Sequence, residues 1–252
     1  MLHFDEIVFG PIRSRRLGAS LCVNVLPTMG KLCNFDCIYC ECGWNKDGVS
    51  DKRFPRVAEV EVALEKRLTE LAKEGVPVDS ITFSGNGEPT INPDFAAIVD
   101  ATVRLRSQFY PSAEISVLSN ATMLGREDVF EALKRVDNPI LKIDASSDEL
   151  IARINKPLGS YSLCNVVEKL KAFDGNFILQ TMFLHSEDFD AQNPDALARW
   201  IEIVREVRPR EVMVYTIDRE TPDKSLGRCS VEEMTEYVRP LIEEGFNVQI
   251  RG

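Results

Sequence analysis

The chain has 252 residues, of which 44% are apolar, and its formal net charge at neutral pH is −10. This length suits a single α/β barrel, and the apolar fraction is enough for a large core. The acidic excess makes nucleic acids and anionic membranes poor partners, because binding to phosphates needs lysine and arginine. With two histidines, His3 and His185, histidine-based metal sites and histidine-driven acid–base catalysis are disfavoured. No apolar run approaches transmembrane length, and no secretory leader precedes the first cysteines, so we expect a cytoplasmic protein.

Three arginines stand close together in the opening segment of this acidic chain. Glycine and proline punctuate residues 9–18, so we expect an irregular backbone there. The arginines are Arg13, Arg15 and Arg16. They could clamp an anionic substrate, or they could simply pair with surface carboxylates.

Three cysteines, Cys33, Cys37 and Cys40, are separated by three and then two residues. Thiolates this close in sequence converge on one metal centre when the backbone forms a tight loop, and such thiolates hold iron–sulfur clusters. Three ligands rather than four would leave one iron open, as a catalytic zinc site keeps a free position. The alternative is a structural zinc site with Cys42 as fourth ligand, but Cys42 follows Cys40 too closely for a tetrahedral site. A disulfide is disfavoured because cytoplasmic thiols stay reduced.

The scattered cysteines are predicted to be small buried residues: Cys22, Cys164 and Cys229.

The rest of the chain alternates between strand and helix patterns. A first strand at 20–26 leads into residues 27–55, the cysteine loop, which has no periodicity and is long enough to be functional. Apolar residues at helical spacing predict helices at 56–75, 93–108, 127–135, 160–173, 194–207 and 231–244. Further strands are predicted at 80–84, 114–119, 140–144, 177–183 and 211–217, with a short last strand at 247–250. This α/β alternation predicts a partial (βα)6 barrel in one domain over residues 1–252, with the cysteine loop at the carboxyl ends of the strands.

A glycine-rich run, Gly85, Asn86, Gly87 and Glu88, comes directly after the predicted strand at 80–84. Glycines let a backbone approach a ligand closely, and a carboxylate can accept hydrogen bonds from an ammonium group. The run is also compatible with an ordinary turn between a strand and a helix. Its position one strand–helix unit after the cysteines favours a ligand site.

Polar residues also mark the later strands. Lys142 and Asp144 alternate with apolar neighbours and share one face of a strand. Charges at the carboxyl end of a barrel strand favour a site, although an ion pair between neighbours explains them equally. Ser146 follows shortly after, while Asn120 and Gln180 are polar side chains that need a partner, which can be protein.

The cysteine spacing, with Tyr39 directly before the last cysteine, resembles the signature of the radical S-adenosylmethionine (SAM) superfamily. This resemblance implies a [4Fe–4S] cluster held by the three cysteines, with SAM on the open iron and Tyr39 behind the adenine. The Gly–Asn–Gly–Glu run resembles the element that binds the methionine amino group. Polar residues at the strand ends resemble those that hold the carboxylate and ribose hydroxyls of SAM. They are Lys142 and Asp144, joined by Ser146, Asn120 and Gln180.

A closer resemblance is to the wyosine-synthase-like radical SAM iron–sulfur proteins. It rests on Phe-Gly-Pro-x-x-Ser-Arg-Arg-Leu-Gly-x-Ser-Leu in the opening segment and on Cys-x-Phe-Asp-Cys-x-Tyr-Cys-Glu. The tRNA wyosine synthases carry a second cluster on three more cysteines upstream, whereas this chain has Cys22 alone there. The resemblance therefore implies a shared scaffold and use of SAM, but not a shared substrate.

The implied activity is reductive cleavage of SAM to methionine and a 5′-deoxyadenosyl radical, which takes hydrogen from the substrate. We expect a small, anionic or nucleobase-like substrate and an electron donor such as a flavodoxin or ferredoxin. Two alternatives remain open: a tRNA-modifying enzyme, which a basic patch at the barrel mouth would favour, and an activase that installs a radical on a partner protein. A non-enzymatic electron carrier is disfavoured because it has no use for the glycine-rich run.

Overall fold

The computed structural model describes residues 4–14, 17–48 and 53–252, and most of the strands form one curled sheet. Its eight strands follow chain order: β1 Val8–Ser14, β2 Gly18–Val23, β3 Ser80–Phe83, β4 Glu114–Ser119, β5 Asn138–Lys142, β6 Ile178–Met182, β8 Glu211–Tyr215 and β10 Val248–Arg251. Two short strands, β7 Leu184–His185 and β9 Gly227–Arg228, form a separate antiparallel ribbon. β1 pairs antiparallel with β2, and every other neighbouring pair in the large sheet is parallel.

Helices connect the parallel strands and cover one face of the sheet. They are α1 Val57–Glu74, α2 Phe95–Phe109, α3 Glu127–Arg135, α4 Asp148–Ile154, α5 Leu163–Lys171, α6 Pro194–Val207 and α7 Val231–Glu243. The first helix shows the pattern: Leu64, Leu68 and Leu71 recur at helical spacing and are buried, and Gly75 ends the helix with a left-handed φ of 67°. Since β2 to β6 and β8 are each followed by a helix, the predicted partial (βα)6 barrel is confirmed. In the described part of the chain, no helix combines the length and the apolar character needed to cross a bilayer.

The two faces of the sheet carry different residues, because side chains alternate along a strand. The helix-facing side is apolar and includes Leu21 and Ile81. The inner side begins with hydroxyl groups that hydrogen-bond across the strands, among them the Ser80 Oγ and Ser116 Oγ atoms, 2.9 Å apart. Towards the carboxyl ends, the inner side changes to large polar residues that face the mouth of the half-barrel.

The structure differs from the sequence-based expectations in three places. The opening segment forms a strand, β1, whose register against β2 shifts between Phe9 and Ile12, and this strand covers an edge that would otherwise expose backbone groups. Helix α4 was not predicted, because seven residues are too few to show a clear period; the Ser147 hydroxyl caps it by accepting from the Leu150 N–H at 3.2 Å. Cys164 is exposed near the start of α5, whereas Cys22 and Cys229 are buried as expected.

Candidate active site

The carboxyl ends of the parallel strands surround a cavity of about 310 Å³. This is the end of the sheet at which α/β barrels place their chemistry. The cysteine loop forms one wall, and residues at the ends of β3 to β6 and β8 form the others. The predicted site residues that line the cavity are Cys33, Cys37, Tyr39, Cys40, Gly85, Gly87, Glu88, Asn120, Lys142 and Gln180.

A buried ammonium group organises the cysteine loop from inside. Lys31 is 5% exposed, and its Nζ donates to Asp36 Oδ1 at 3.1 Å and to the Gly43 carbonyl oxygen at 2.9 Å. Asn45 supports the same turn: its backbone N–H donates to Asp36 Oδ1 at 2.8 Å. Its side-chain oxygen accepts from the Cys33 N–H at 3.0 Å. The position of the first cysteine is therefore fixed by polar contacts within the loop.

The three cysteine thiols have different electrostatic surroundings. Burial raises the pKa of Cys33 well above its usual value and that of Cys37 to about 11, and neighbouring negative charges add to both shifts. A hydrogen bond from the Cys42 thiol instead lowers the pKa of Cys40 to about 6. Burial opposes the charge of Lys31, but the three thiolates outweigh it and raise its pKa.

This donor set fits a cationic metal centre. Buried thiols that repel one another as thiolates bind a metal deprotonated, so the metal removes the cost of their charge. Cys42 is placed as a hydrogen-bond donor, with its Sγ 3.6 Å from the Gly85 carbonyl oxygen. Cys33, Cys37 and Cys40 line the cavity together, and the Cys42 thiol has the Gly85 carbonyl oxygen as its acceptor, a set that could hold a three-cysteine iron–sulfur cluster.

The part of the cysteine loop around Cys37 is paired with the residues at the end of α4. The Asp36 N–H donates to the Asn155 carbonyl oxygen at 2.9 Å. The Ile38 N–H donates to the Ile154 carbonyl oxygen, also at 2.9 Å. These two bonds hold Cys37, which lies between their donors, in a fixed register against α4. The Asn155 side chain then reaches the Cys37 Sγ atom at 3.3 Å.

Glu88 presents a buried carboxylate with room for one more donor. Its Oε1 accepts from the Thr90 N–H at 3.1 Å, the Thr90 hydroxyl at 2.5 Å and the Ser119 hydroxyl at 2.9 Å. Among the described residues, its Oε2 accepts from the Asn120 N–H alone, at 2.6 Å. Because each carboxylate oxygen has two lone pairs, Oε2 can take a further hydrogen bond. Burial raises the pKa of Glu88. A cation placed beside Glu88 would stabilise its ionised form.

Asp144 lies behind the cavity wall and not in it. Its side chain is fully buried, and its carboxylate accepts from the Tyr39 hydroxyl, the Asn155 Nδ2 at 2.6 Å and the Met182 N–H at 2.9 Å. These protein donors hold the carboxylate, which in turn holds the Tyr39 hydroxyl. The predicted contact between Asp144 and the SAM ribose stays a prediction.

Lys142 is the cation of the inner wall. Its Nζ lies 5.0 Å from the ring centroids of both Tyr39 and Tyr215, donates to the Tyr39 hydroxyl at 3.1 Å and also donates to the Tyr215 hydroxyl. Burial opposes its charge, but Asp144, 3.8 Å away, contributes most to a net rise in the pKa of Lys142. Lys142 is thus a fixed positive charge beside the cavity, suited to an anionic group.

A family model described as the Radical SAM superfamily matches residues 28–192, which include the three cysteines, Glu88 and Lys142. The chain belongs to the radical SAM superfamily. As a radical SAM enzyme it uses a [4Fe–4S] cluster and SAM, the cofactors predicted from the sequence.

Related proteins agree with this assignment. The radical SAM chain is 30% identical to a UPF0026 protein of Synechocystis sp., covering 88% of this chain and 78% of that protein, so it also belongs to the UPF0026 family. It is 28% identical to a UPF0026 protein of Methanocaldococcus jannaschii, covering 92% of this chain and 70% of that protein.

Two solved structures share the fold. A radical SAM methyltransferase from Sphaerobacter thermophilus superposes with a TM-score of 0.69 at 17% identity, covering 92% of this chain and 65% of that one. TYW1 with a lysine–pyruvate adduct bound superposes with a TM-score of 0.64 at 13% identity, covering 89% and 73%. At these identities the likeness concerns the fold alone.

Besides Asp144, two further residues predicted to bind SAM do not line the cavity. Asn86 is fully buried, and its Nδ2 donates to the carbonyl oxygens of Pro27 at 3.0 Å and Phe4 at 2.8 Å. Its side chain therefore secures the glycine-rich run, and its predicted contact with SAM stays a prediction. Ser146 is buried away from the cavity lining, and within the described ranges its hydroxyl has no hydrogen-bond partner.

The predicted arginine clamp is not at the site. Arg13 lies opposite Ala19 near the start of β2, at the end of the sheet away from the cavity. The hairpin between β1 and β2 reverses the chain direction and carries Arg13 there, so its prediction as a substrate residue is wrong. Arg15 and Arg16 fall outside the described residues.

Three residues of the site were missed. Tyr215 ends β8 next to the mouth, and the rule that polar residues at strand ends form the site would have found it. Arg219 lies at the rim and pairs with Glu41 of the cysteine loop at 2.6 Å. Asn155 has no distinguishing sequence signal, because it follows a helix that was not predicted.

The contact between Gly87 and the cysteine loop gives a test of the site. Gly87 has a φ of 134°, and an added Cβ would lie 2.0 Å from the Leu32 carbonyl oxygen and 3.2 Å from the Cys33 Cβ. We expect Gly87→Ala to displace the loop, at a cost of about 1–3 kcal/mol for the strained backbone alone. Iron bound after anaerobic reconstitution should fall well below the wild-type amount. Gly125→Ala is the matched control, because a Cβ there meets nothing within 4 Å; equal iron in both variants would contradict the described loop contact.

Proposed function

We propose that Cys33, Cys37 and Cys40 ligate the [4Fe–4S] cluster of this radical SAM enzyme and that residues 1–252 work as one catalytic domain. The observation that carries the proposal is that Cys33, Cys37 and Cys40 line one cavity together with Lys31 at the mouth of the half-barrel. When bound, the cluster and SAM supply a 5′-deoxyadenosyl radical that removes hydrogen from a substrate. The protein orients the reactants and excludes water.

The protein side of the SAM site follows from the charges around the cavity. Glu88 has a free acceptor position on Oε2 and would bind the methionine ammonium group. Gly85 and Gly87 let the backbone approach closely without a side chain in the way. Lys142 would attract the methionine carboxylate, and Tyr39, held from behind by Asp144, would present its ring edge or face to the adenine.

The substrate side of the cavity is the wall formed by β6, β8 and the segment that follows β8. Gln180 is 5% exposed, and its Nε2 has no hydrogen-bond partner within the described residues. An amide group aimed into a cavity offers a donor and an acceptor, as recognition of a nucleobase requires. Arg219 at the rim could exchange Glu41 for an anionic group of the substrate. We therefore propose a small nucleobase-like or anionic substrate, and electrons from a flavodoxin or ferredoxin in the cytoplasm.

The first test is the cluster itself. Anaerobically reconstituted protein should bind about four irons through three thiolates. Cys33→Ala, Cys37→Ala and Cys40→Ala should each lose the cluster absorbance and most of the iron. Cys42→Ala should retain both, because Cys42 donates a hydrogen bond and is not a ligand. Loss of iron from the Cys42 variant to the same extent, or stoichiometric zinc, would contradict the ligand assignment.

The second test concerns Glu88. Glu88→Gln keeps the shape of the side chain but removes its charge, which should weaken SAM binding at least tenfold, since a charged hydrogen bond contributes roughly 1.5–3 kcal/mol. Iron content should not change. Because burial raises the Glu88 pKa and only the ionised form pairs with an ammonium group, wild-type affinity should fall as the pH is lowered through that raised pKa, and the variant should not show this dependence. Glu65→Gln, on the exposed side of α1, is the control. If calorimetry shows equal SAM affinity in the wild type, the Glu88 variant and the Glu65 variant, Glu88 does not bind SAM.

The third test separates a small substrate from tRNA. Binding through several phosphates would weaken steeply with salt, because each contact releases counterions. We expect no measurable binding to bulk tRNA at physiological salt, and deuterium transfer into 5′-deoxyadenosine from a small metabolite. Arg219→Ala should reduce this transfer more than it reduces SAM cleavage without substrate, whereas Arg239→Ala on α7 should change neither. Salt-sensitive tRNA binding with label transfer from tRNA would favour the tRNA-modifying alternative.

A further inference from the structure

Asn155, which lies outside the cysteine loop, places a side-chain amide within hydrogen-bond distance of a cysteine sulfur of the site. It follows α4 directly and is 1% exposed. Its Nδ2 lies 3.3 Å from the Cys37 Sγ atom, 2.6 Å from Asp144 Oδ2 and 3.3 Å from the Tyr39 hydroxyl oxygen. One amide group therefore touches a predicted cluster ligand, the carboxylate behind the cavity wall and the predicted adenine-facing aromatic ring.

The chemistry of these neighbours sets the orientation of the amide. An ionised carboxylate and a metal-bound thiolate accept hydrogen bonds and donate none. If the amide were turned over, its oxygen would face both of them and lose two favourable contacts to electrostatic repulsion. In the observed orientation the Asn155 Oδ1 has no partner within the described ranges, while the N–H groups are all directed at acceptors. In this orientation the Asn155 Oδ1 accepts no hydrogen bond from the described residues, and the Asn155 Nδ2 donates towards Cys37 and Asp144.

The backbone makes this side chain a fixed part of the cysteine loop. The Asn155 carbonyl oxygen accepts from the Asp36 N–H at 2.9 Å, one residue before Cys37. The Ile38 N–H, one residue after Cys37, is held by the Ile154 carbonyl oxygen. The pairing between α4 and the loop thus fixes the backbone of Asn155 beside Cys37.

We propose that Asn155 is a positioning residue that tunes the cluster through Cys37. This inference rests on the proposed function, in which Cys37 is a cluster ligand. Reduction adds negative charge to an iron–sulfur cluster, and hydrogen bonds to its cysteine sulfurs are among the features that set its reduction potential. A donor to the Cys37 sulfur stabilises the reduced form more than the oxidised form and so raises the potential. It makes the cluster easier to reduce by a physiological electron donor.

The same amide connects the potential to the SAM pocket. Asn155 holds the Asp144 carboxylate, and Asp144 accepts the Tyr39 hydroxyl proton in a hydrogen bond. A change at Asn155 therefore affects Tyr39 as well as Cys37. A purely structural residue would alter stability and loading, whereas a tuning residue also alters the potential of a cluster that is fully loaded.

The experiment measures the midpoint potential of the reconstituted cluster by redox titration followed by electron paramagnetic resonance. Asn155→Leu has a similar volume and no N–H group, and Asn155→Ala is a second, smaller variant that is easier to accommodate. We expect both to bind the wild-type amount of iron and to be harder to reduce by about tenfold in the equilibrium constant, which corresponds to a potential about 59 mV more negative for one electron. Asn92→Ala is the matched control: Asn92 is an equally buried asparagine that donates to the carbonyl oxygens of Val25 and Pro55 and to no sulfur, so its cluster should keep the wild-type potential.

Each outcome is decisive. Loaded clusters with the wild-type potential in both Asn155 variants would overturn the tuning role and leave the ligand assignment intact. Loss of iron from both Asn155 variants, with the Asn92 variant loaded, would also overturn it, because the role would then be structural. If the proposed function is wrong and Cys37 is not a ligand, the Cys37→Ala variant will retain the cluster.

Discussion

The ammonium group of Lys31 is the interaction on which the rest of the site depends. Five acidic groups lie around one cavity wall: the thiols of Cys33, Cys37 and Cys40 and the carboxylates of Glu88 and Asp144. Burying like charges together is costly unless a cation or a metal is supplied. Lys31 provides one positive charge from within the loop, and Lys142 provides another from β5. Both lysines retain their charge in spite of burial, because the neighbouring anions raise their pKa.

The backbone of the cysteine loop also needs hydrogen-bond partners. Three cysteines within eight residues force the backbone into a tight turn whose carbonyl oxygens and N–H groups need partners. The loop satisfies part of this requirement internally, through Lys31, Asp36 and Asn45, and part by pairing with the end of α4. Since the pairing with α4 also brings in Asn155, the same contacts that hold the loop also place a donor beside Cys37. The backbone of residues 154 and 155 thus supports the loop, while the Asn155 side chain supplies the donor that we propose tunes the metal site.

The sequence predicted those parts of the site that are local along the chain. Cysteine spacing is a local property, and so is a glycine-rich run after a strand, and both lie at the cavity as expected. Alternation along a strand predicts the face that Asp144 shares, but it cannot show that protein donors, among them the Met182 N–H, hold its carboxylate. Arg13 was misplaced because an antiparallel hairpin, invisible in the pattern, carries it to the opposite end of the sheet.

The family match and the cavity divide the protein into two parts with different roles. The match covers residues 28–192, whereas Tyr215, Asp218 and Arg219 line the cavity beyond it. The three cysteines and the glycine-rich run, which we propose hold the cluster and SAM, lie within the matched region. The wall formed after β8 lies outside it, where enzymes that share this fold are free to differ. The substrate of this enzyme is therefore better sought in the contacts of Gln180, Tyr215 and Arg219 than in its likeness to structures at 13–17% identity.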